Sequence, residues 1–225
     1  MPKAGLMRDV RAVLFDLDGT LIDSAPDLAA AGNEMRLQRG LPALPYEAFR
    51  PMVGSGARGM VGIAFGVTPD DAAFVALRDE FLDRYEARMT RNTGVFEPVW
   101  PLLRQLDAAE LAWGIVTNKA SRFAAPLVDA LGLHGAATLV CGDTAARAKP
   151  HPDPLLEAAR RLGVEPGSCI YVGDDLRDVQ AGRAAGMRTV AVTWGYLGMG
   201  DPVQAWGADH LIDKPVELLK LLGLA

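Results

Sequence analysis

Short apolar runs, each closed by a turn or a polar cluster, recur along the chain between longer stretches in which apolar residues return every three or four positions. The runs at residues 12–15, 112–116, 138–140, 169–172 and 189–192 are too short for helices and predict strands, with a weaker sixth at 210–212. Helical periodicity falls between them, at 99–110, 122–131, 154–162, 176–185 and 216–222. Strands alternating with helices in this order predict an α/β fold, a mostly parallel sheet covered by helices on both faces.

Residues 23–91 break the alternation. Roughly 70 residues pass between the first and second runs with no strand of their own, where such a connection ordinarily takes about 2–6. Within residues 27–39 the apolar positions are Leu28, Met35 and Leu37, and within 69–89 Phe74, Leu77, Phe81 and Tyr85 follow helical steps. The segment therefore predicts an inserted α-helical cap domain over the carboxyl edge of the sheet. Residues 1–22 and 92–225 would form the core, and the crossings near 22–25 and 92–97 the hinge strands.

Composition narrows the class. The chain has 225 residues, 23 Lys and Arg against 28 Asp and Glu, and a formal charge of −5. It is long enough to hold a core without metal or disulfide staples. Mild acidity without a basic run gives no footprint for a polyanion, so no nucleic-acid partner is expected. Cys141 and Cys169 belong to no metal-ligand or disulfide pattern, which suits a reducing, cytoplasmic setting. No apolar stretch reaches the ~20 residues of a membrane span, residues 1–11 show no cleavable apolar core, and no membrane association is expected. A monomer or homodimer fits this composition.

The candidate chemistry lies just past the strand ends, where open parallel sheets bind ligands. Asp16-Leu17-Asp18-Gly19-Thr20-Leu21-Ile22-Asp23-Ser24 follows the first run, and Thr117-Asn118-Lys119 follows the second. Beyond the third comes Ala148-Lys149-Pro150, and after the fourth Gly173-Asp174-Asp175-Leu176-Arg177-Asp178. Singly these residues could be caps, turns or surface charges; jointly they converge. Ionised carboxylates of Asp16, Asp18 and Asp174 within ~4 Å would repel by about 4 kcal/mol per pair at an effective dielectric of 20. Such a cluster needs a cation, and all-oxygen donors select Mg²⁺ over zinc or copper. Lys149 and Thr117 would then help to gather the negative charge of a phosphoryl group.

These four strings resemble the signature motifs of the haloacid dehalogenase-like phosphatases, in the subclass with a helical cap inserted after the first strand. The resemblance implies a Rossmann-like core and a Mg²⁺-dependent hydrolysis of a small phosphorylated metabolite. It assigns Asp16 as nucleophile, forming an aspartyl-phosphate, and Asp18 as general acid and base. Phosphate contacts fall on Thr117, Asn118 and Lys149, and metal ligation on Asp16, the backbone carbonyl of Asp18, and Asp174. Asp175 would reach the ion through water and Asp178 would orient the others. Because Asp18 is present, carbon–halogen cleavage is disfavoured, while a sugar phosphomutase stays open.

Substrate choice is expected in the cap. Gly54, Gly56 and Arg58 form a glycine-rich turn that could offer N–H groups and a guanidinium to an anion. The combined pattern is similar to that of phosphoglycolate phosphatases and also of N-acetylmuramic acid 6-phosphate phosphatases, and motifs alone do not separate the two. Trp194 and Tyr196 read more readily as cover for the sheet edge than as a sugar platform. A receiver-like phospho-relay module also places Asp, Thr and Lys at strand ends, but it lacks the paired first-strand aspartates and the long helical insertion.

Overall fold

β1 (Ala12–Phe15) is buried along its whole length and lies inside the sheet, because Ala12 and Leu14 pack on one face while Val13 and Phe15 pack on the other. The computed structural model describes Met7 and residues 9–225, so most of the stretch read for a leader lies outside the described residues. The chain leaves β1 through β2 (Ile22–Asp23), runs through α1 (Ala25–Gln38), α2 (Tyr46–Phe49), α3 (Gly56–Phe65) and α4 (Phe74–Glu86), and returns through β3 (Gly94–Val95). It continues as α5 (Val99–Ala108), β4 (Ala112–Val116), α6 (Ser121–Ala130), β5 (Leu139–Val140), α7 (Asp153–Leu162), β6 (Cys169–Gly173), α8 (Leu176–Ala184), β7 (Arg188–Val192), β8 (His210–Ile212) and α9 (Pro215–Leu222).

The sheet order is β5-β4-β1-β6-β7-β8, parallel throughout. Leu155, Ala158 and Ala159 of α7 and Ala181 of α8 pack with Ala12, Leu14 and Tyr171 on one face. Leu102, Leu103 and Leu106 of α5, Phe123 and Leu127 of α6, and Leu218 of α9 pack with Val13, Phe15 and Ile115 on the other. The α/β class expected from the alternation is therefore the fold. Strand order reverses around β1, whose neighbours β4 and β6 flank it, and this switch point opens the crevice in which the candidate residues meet.

β2 and β3 pair antiparallel, Ile22 opposite Val95 and Asp23 opposite Gly94, at the two crossings into the helical segment. Asp27 fastens them from α1. Its carboxylate accepts the backbone N–H groups of Asn92 at 2.8 Å and Thr93 at 2.9 Å, and both side chains add a bond. Burial raises the Asp27 carboxyl, but these four donors outweigh it and hold it below the usual carboxylate range.

Two details depart from the sequence reading. Leu37 is 59% exposed, so α1 buries Leu28 and Met35 but turns Leu37 outward. The helix expected from residue 69 begins at Phe74, because Asp71 accepts the Thr68 N–H at 2.6 Å and closes a turn first. Cys141 and Cys169 are free, buried thiols.

Candidate active site

The strand ladder carries one bond past its ends and so fixes where the candidate residues leave the sheet. Asp16 N–H donates to the Val172 carbonyl at 2.9 Å, and Thr117 N–H donates to that of Val140 at 2.9 Å. Lys149, 5% exposed, reaches back from the loop after β5 to join them. Its ammonium lies within hydrogen-bonding distance of Asp16 Oδ1 at 2.8 Å, Asp178 Oδ1 at 2.8 Å, the Tyr171 hydroxyl at 2.8 Å and the Val116 carbonyl at 3.1 Å, sharing its three N–H groups among them. Asn118 holds that loop in place, since its side-chain amide bonds the Lys149 backbone N–H and C=O at 2.9 Å each. Asn118, expected as a phosphate contact, lines the cavity and positions Lys149 through its side-chain amide.

Asp174 stands beside this pair on neutral donors. Thr20 Oγ1 donates to it at 3.0 Å and the Tyr196 N–H at 2.7 Å. Gly19 and Gly195 leave room for it: at φ +86° a Cβ on Gly19 would come 2.2 Å from Asp174 Oδ2, and one on Gly195 would come 2.2 Å from its Cβ. Carboxylate oxygens of Asp16, Asp174 and Asp178 all lie within 4.8 Å of one another. The acidic trio thus includes Asp178, which the sequence reading had kept as an orienting partner, whereas the Asp18 side chain stands outside it.

Electrostatics follow from this packing. Burial pushes the Asp16 carboxyl up to about 7, against the pull of Lys149 and with a further push from Asp178. Burial first, then Asp16 and Asp178, carry Asp174 well above the ordinary carboxylate range. Burial disfavours the charged form of Lys149, but its two carboxylate partners outweigh that and raise it. Three carboxylates gather here around one ammonium that pairs with two of them, so the cluster is short of positive charge.

Asp18 lies in the same cavity but on another cation. Lys119 Nζ is 3.0 and 3.2 Å from its two oxygens, and Ser24 Oγ also donates to it. Thr117 Oγ1 accepts the Lys119 N–H at 3.1 Å. Asp175 caps α8, accepting from Arg177 N at 2.9 Å and pairing with its guanidinium at 2.7 Å, while its own N–H donates to Asp178 Oδ2 at 3.0 Å. Arg177 also donates to the Gly54 carbonyl, linking α8 to the glycine-rich turn. Arg50 makes a second clasp, bonding the Trp194 carbonyl at 3.1 Å and lying 5.1 Å from the Tyr196 ring centroid.

A cavity of about 290 Å³ lies between the sheet edge and the helical segment. Asp16, Asp18, Thr117, Asn118, Lys149, Asp174, Asp175, Asp178, Gly54 and Gly56 all reach it. Arg58 does not: it is exposed on α3 and outside the lining, because α3 starts at Gly56 and turns that side chain to solvent. Sequence reasoning assigned no role to Lys119, Arg177, Tyr171 and Tyr85. Lys119 was within reach, sitting in the quoted Thr-Asn-Lys string. Tyr171 carried the signal of a polar tip inside a fully buried strand. Of the aromatic pair, Trp194 covers the edge, its indole N–H donating to the Thr20 carbonyl at 3.1 Å, while Tyr196 lines the cavity.

Residues 13–192 match the family model of the haloacid dehalogenase-like hydrolases. The chain is 50% identical over 214 residues to a phosphoglycolate phosphatase of Xanthomonas campestris pv. campestris, covering 94% of this chain and 96% of the relative. It is 45% identical over 217 residues to an N-acetylmuramic acid 6-phosphate phosphatase of Pseudomonas putida, covering 96% and 97%. A crystal structure of a predicted phosphoglycolate phosphatase from Haemophilus somnus superposes with a TM-score of 0.84 at 26% identity, covering 96% of this chain and 99% of that one. The chain belongs to the haloacid dehalogenase-like hydrolase family.

Proposed function

We propose that this chain, a phosphoric monoester hydrolase, converts 2-phosphoglycolate to glycolate and phosphate through a phosphoryl group carried on Asp16. The observation that carries the reaction is the convergence of Asp16, Lys149, Asp174 and Asp178 at the carboxyl ends of the strands. Asp16 attacks phosphorus in line and the ester P–O bond breaks, so one difficult displacement becomes two easier ones. Asp18 protonates the departing alkoxide, then takes a proton from the water that removes the phosphoryl group. Lys149, fixed by Asp178 and Tyr171, meets the charge that develops on the phosphoryl oxygens. Thr117 offers a neutral donor.

The donor set fits Mg²⁺. It is all oxygen, and among the described residues Asp174 has neutral partners only. Asp16 and Asp174 would hold the ion with the Asp18 carbonyl, Asp175 through water, and Asp178 would steady Asp16 through Lys149. When bound, the ion supplies the positive charge that keeps Asp16 ionised and draws the phosphoryl oxygens in. The helical segment, residues 23–91, would act as the cap that shuts water out, hinged on β2 and β3.

A second substrate, N-acetylmuramic acid 6-phosphate, is favoured by one observation. Leu28, Phe81, Leu82, Tyr85 and Phe123 make an apolar wall, with more room than a two-carbon acid fills. Steady-state kinetics with both esters decides between them. The two-carbon ester should show the higher kcat/KM, EDTA should stop turnover and added Mg²⁺ should restore it. A higher kcat/KM for the sugar ester moves the assignment to that substrate, and turnover that persists in EDTA removes the ion from the reaction.

A further inference from the structure

Lys119 and Tyr85 meet on the leaving-group side of the cavity in a way the proposed phosphoryl transfer does not use. Lys119 is anchored by Asp18 at 3.0 and 3.2 Å and lies 4.7 Å from the Tyr85 ring centroid. An ammonium has three N–H donors, so the Asp18 pair leaves at least one for another acceptor. Tyr85 is 2% exposed; its oxygen faces the Lys119 ammonium, while its own O–H reaches no acceptor. Arg88 Nε and Thr138 Oγ1 are likewise buried and unbonded among the described residues, but of the three only Tyr85 lines the cavity. Burial pushes the Tyr85 phenol up, so it is a donor at neutral pH. A buried donor in a ligand cavity that lacks an acceptor marks a place for a ligand atom.

We infer that Lys119 and Tyr85 form a second anion subsite, which reads a carboxylate on the carbon portion of the phosphate ester. This rests on the phosphomonoester reading above. Lys119 supplies charge and the Tyr85 O–H supplies direction, while Phe81, Leu82 and Phe123 shield both. The same contact links specificity to turnover: a carboxylate that draws Lys119 away loosens its hold on Asp18, leaving that side chain free to turn toward the leaving oxygen. Esters without the second anion leave Asp18 held.

A carboxylate could sit on a small acid or on a sugar ether, and matched pairs separate the sources. One pair is 2-phosphoglycolate against ethyl phosphate; the other is N-acetylmuramic acid 6-phosphate against N-acetylglucosamine 6-phosphate, which lacks the lactyl acid. The wild-type enzyme should prefer the acid-bearing member of at least one pair by about tenfold or more in kcat/KM. Tyr85→Phe should shrink that ratio about threefold, and Lys119→Met should bring it close to one. Calorimetry with 3-phosphonopropionate and propylphosphonate reads the same preference without turnover, and Tyr85→Phe, which keeps the ring, guards against a Lys119 variant that does not fold. Equal affinity for the two phosphonates, or an acid preference untouched by both substitutions, overturns the subsite. Acid-selective phosphonate binding without hydrolysis of any ester would instead uphold the subsite and overturn the reaction.

Discussion

The two walls of the cavity are built on opposite principles. On the sheet side every charged group is tied down: Lys149 has four partners, Asp178 is fixed by Lys149 and the Asp175 N–H, and Asp174 is held by Thr20 and Tyr196. The opposite wall, from α1, α4 and the turn at Gly54, is apolar, leaves one hydroxyl without an acceptor, and is fastened to the core through a few arginine clasps. On the proposed function, the fixed wall carries the reaction and the adaptable wall contributes to the choice of molecule. Preorganised charge belongs on rigid strand ends, and an adaptable wall belongs on a segment joined by two short crossings.

If that division is right, damage to the first wall should be far more costly than damage to the second. Lys149→Met removes the ammonium shared by Asp16 and Asp178, and kcat for any phosphate ester should fall by about 10² to 10³ or more. A loss below tenfold in stopped assays would contradict its placement.

The crossing between the walls is next. Asp27→Asn weakens four hydrogen bonds to one buried carboxylate and should lower stability by about 1–3 kcal/mol. Because the folded Asp27 carboxyl lies below its unfolded value of ~3.9, the unfolded chain binds the extra proton. Its contribution is therefore fully present above that value and lost as pH falls through the folded one. Urea denaturation of both proteins from pH 6 downward should show their difference narrowing in acid; a gap that widens would reverse the sign.

The smallest effect should come from Arg58→Ala. With the side chain in solvent, kcat/KM should stay within about twofold for every ester tested. A selective rise in KM for an acid-bearing ester would return Arg58 to the substrate.

The same division governs what could be read before folding. Asp16, Lys149 and Asp174 were legible because a parallel sheet gathers whatever follows its strands, and carboxylates after buried runs are conspicuous. Asn118 was placed at the site, but its bonds to Lys149 were not legible, since which of its neighbours the amide bonds depends on the path of the Lys149 loop. The opposite wall was opaque. Phe81 and Tyr85 follow helical spacing as any core residue does, and nothing in that spacing distinguishes burial against other helices from a place over the crevice. Arg58 misled for the same reason: a guanidinium beside two glycines has the chemistry of an anion site, but the helix phase set at Gly56 turns it outward.

The central claim is that the phosphoryl group passes through Asp16. Rapid acid quench during turnover of 2-phosphoglycolate, followed by borohydride reduction and peptide mass spectrometry, tests it at the residue concerned, because an acyl phosphate is reduced to an alcohol. The account predicts homoserine in place of Asp16 and none in the Asp16→Asn protein. Reduction at Asp174 or Asp178 instead, or turnover with no residue trapped and inversion at phosphorus, would contradict it.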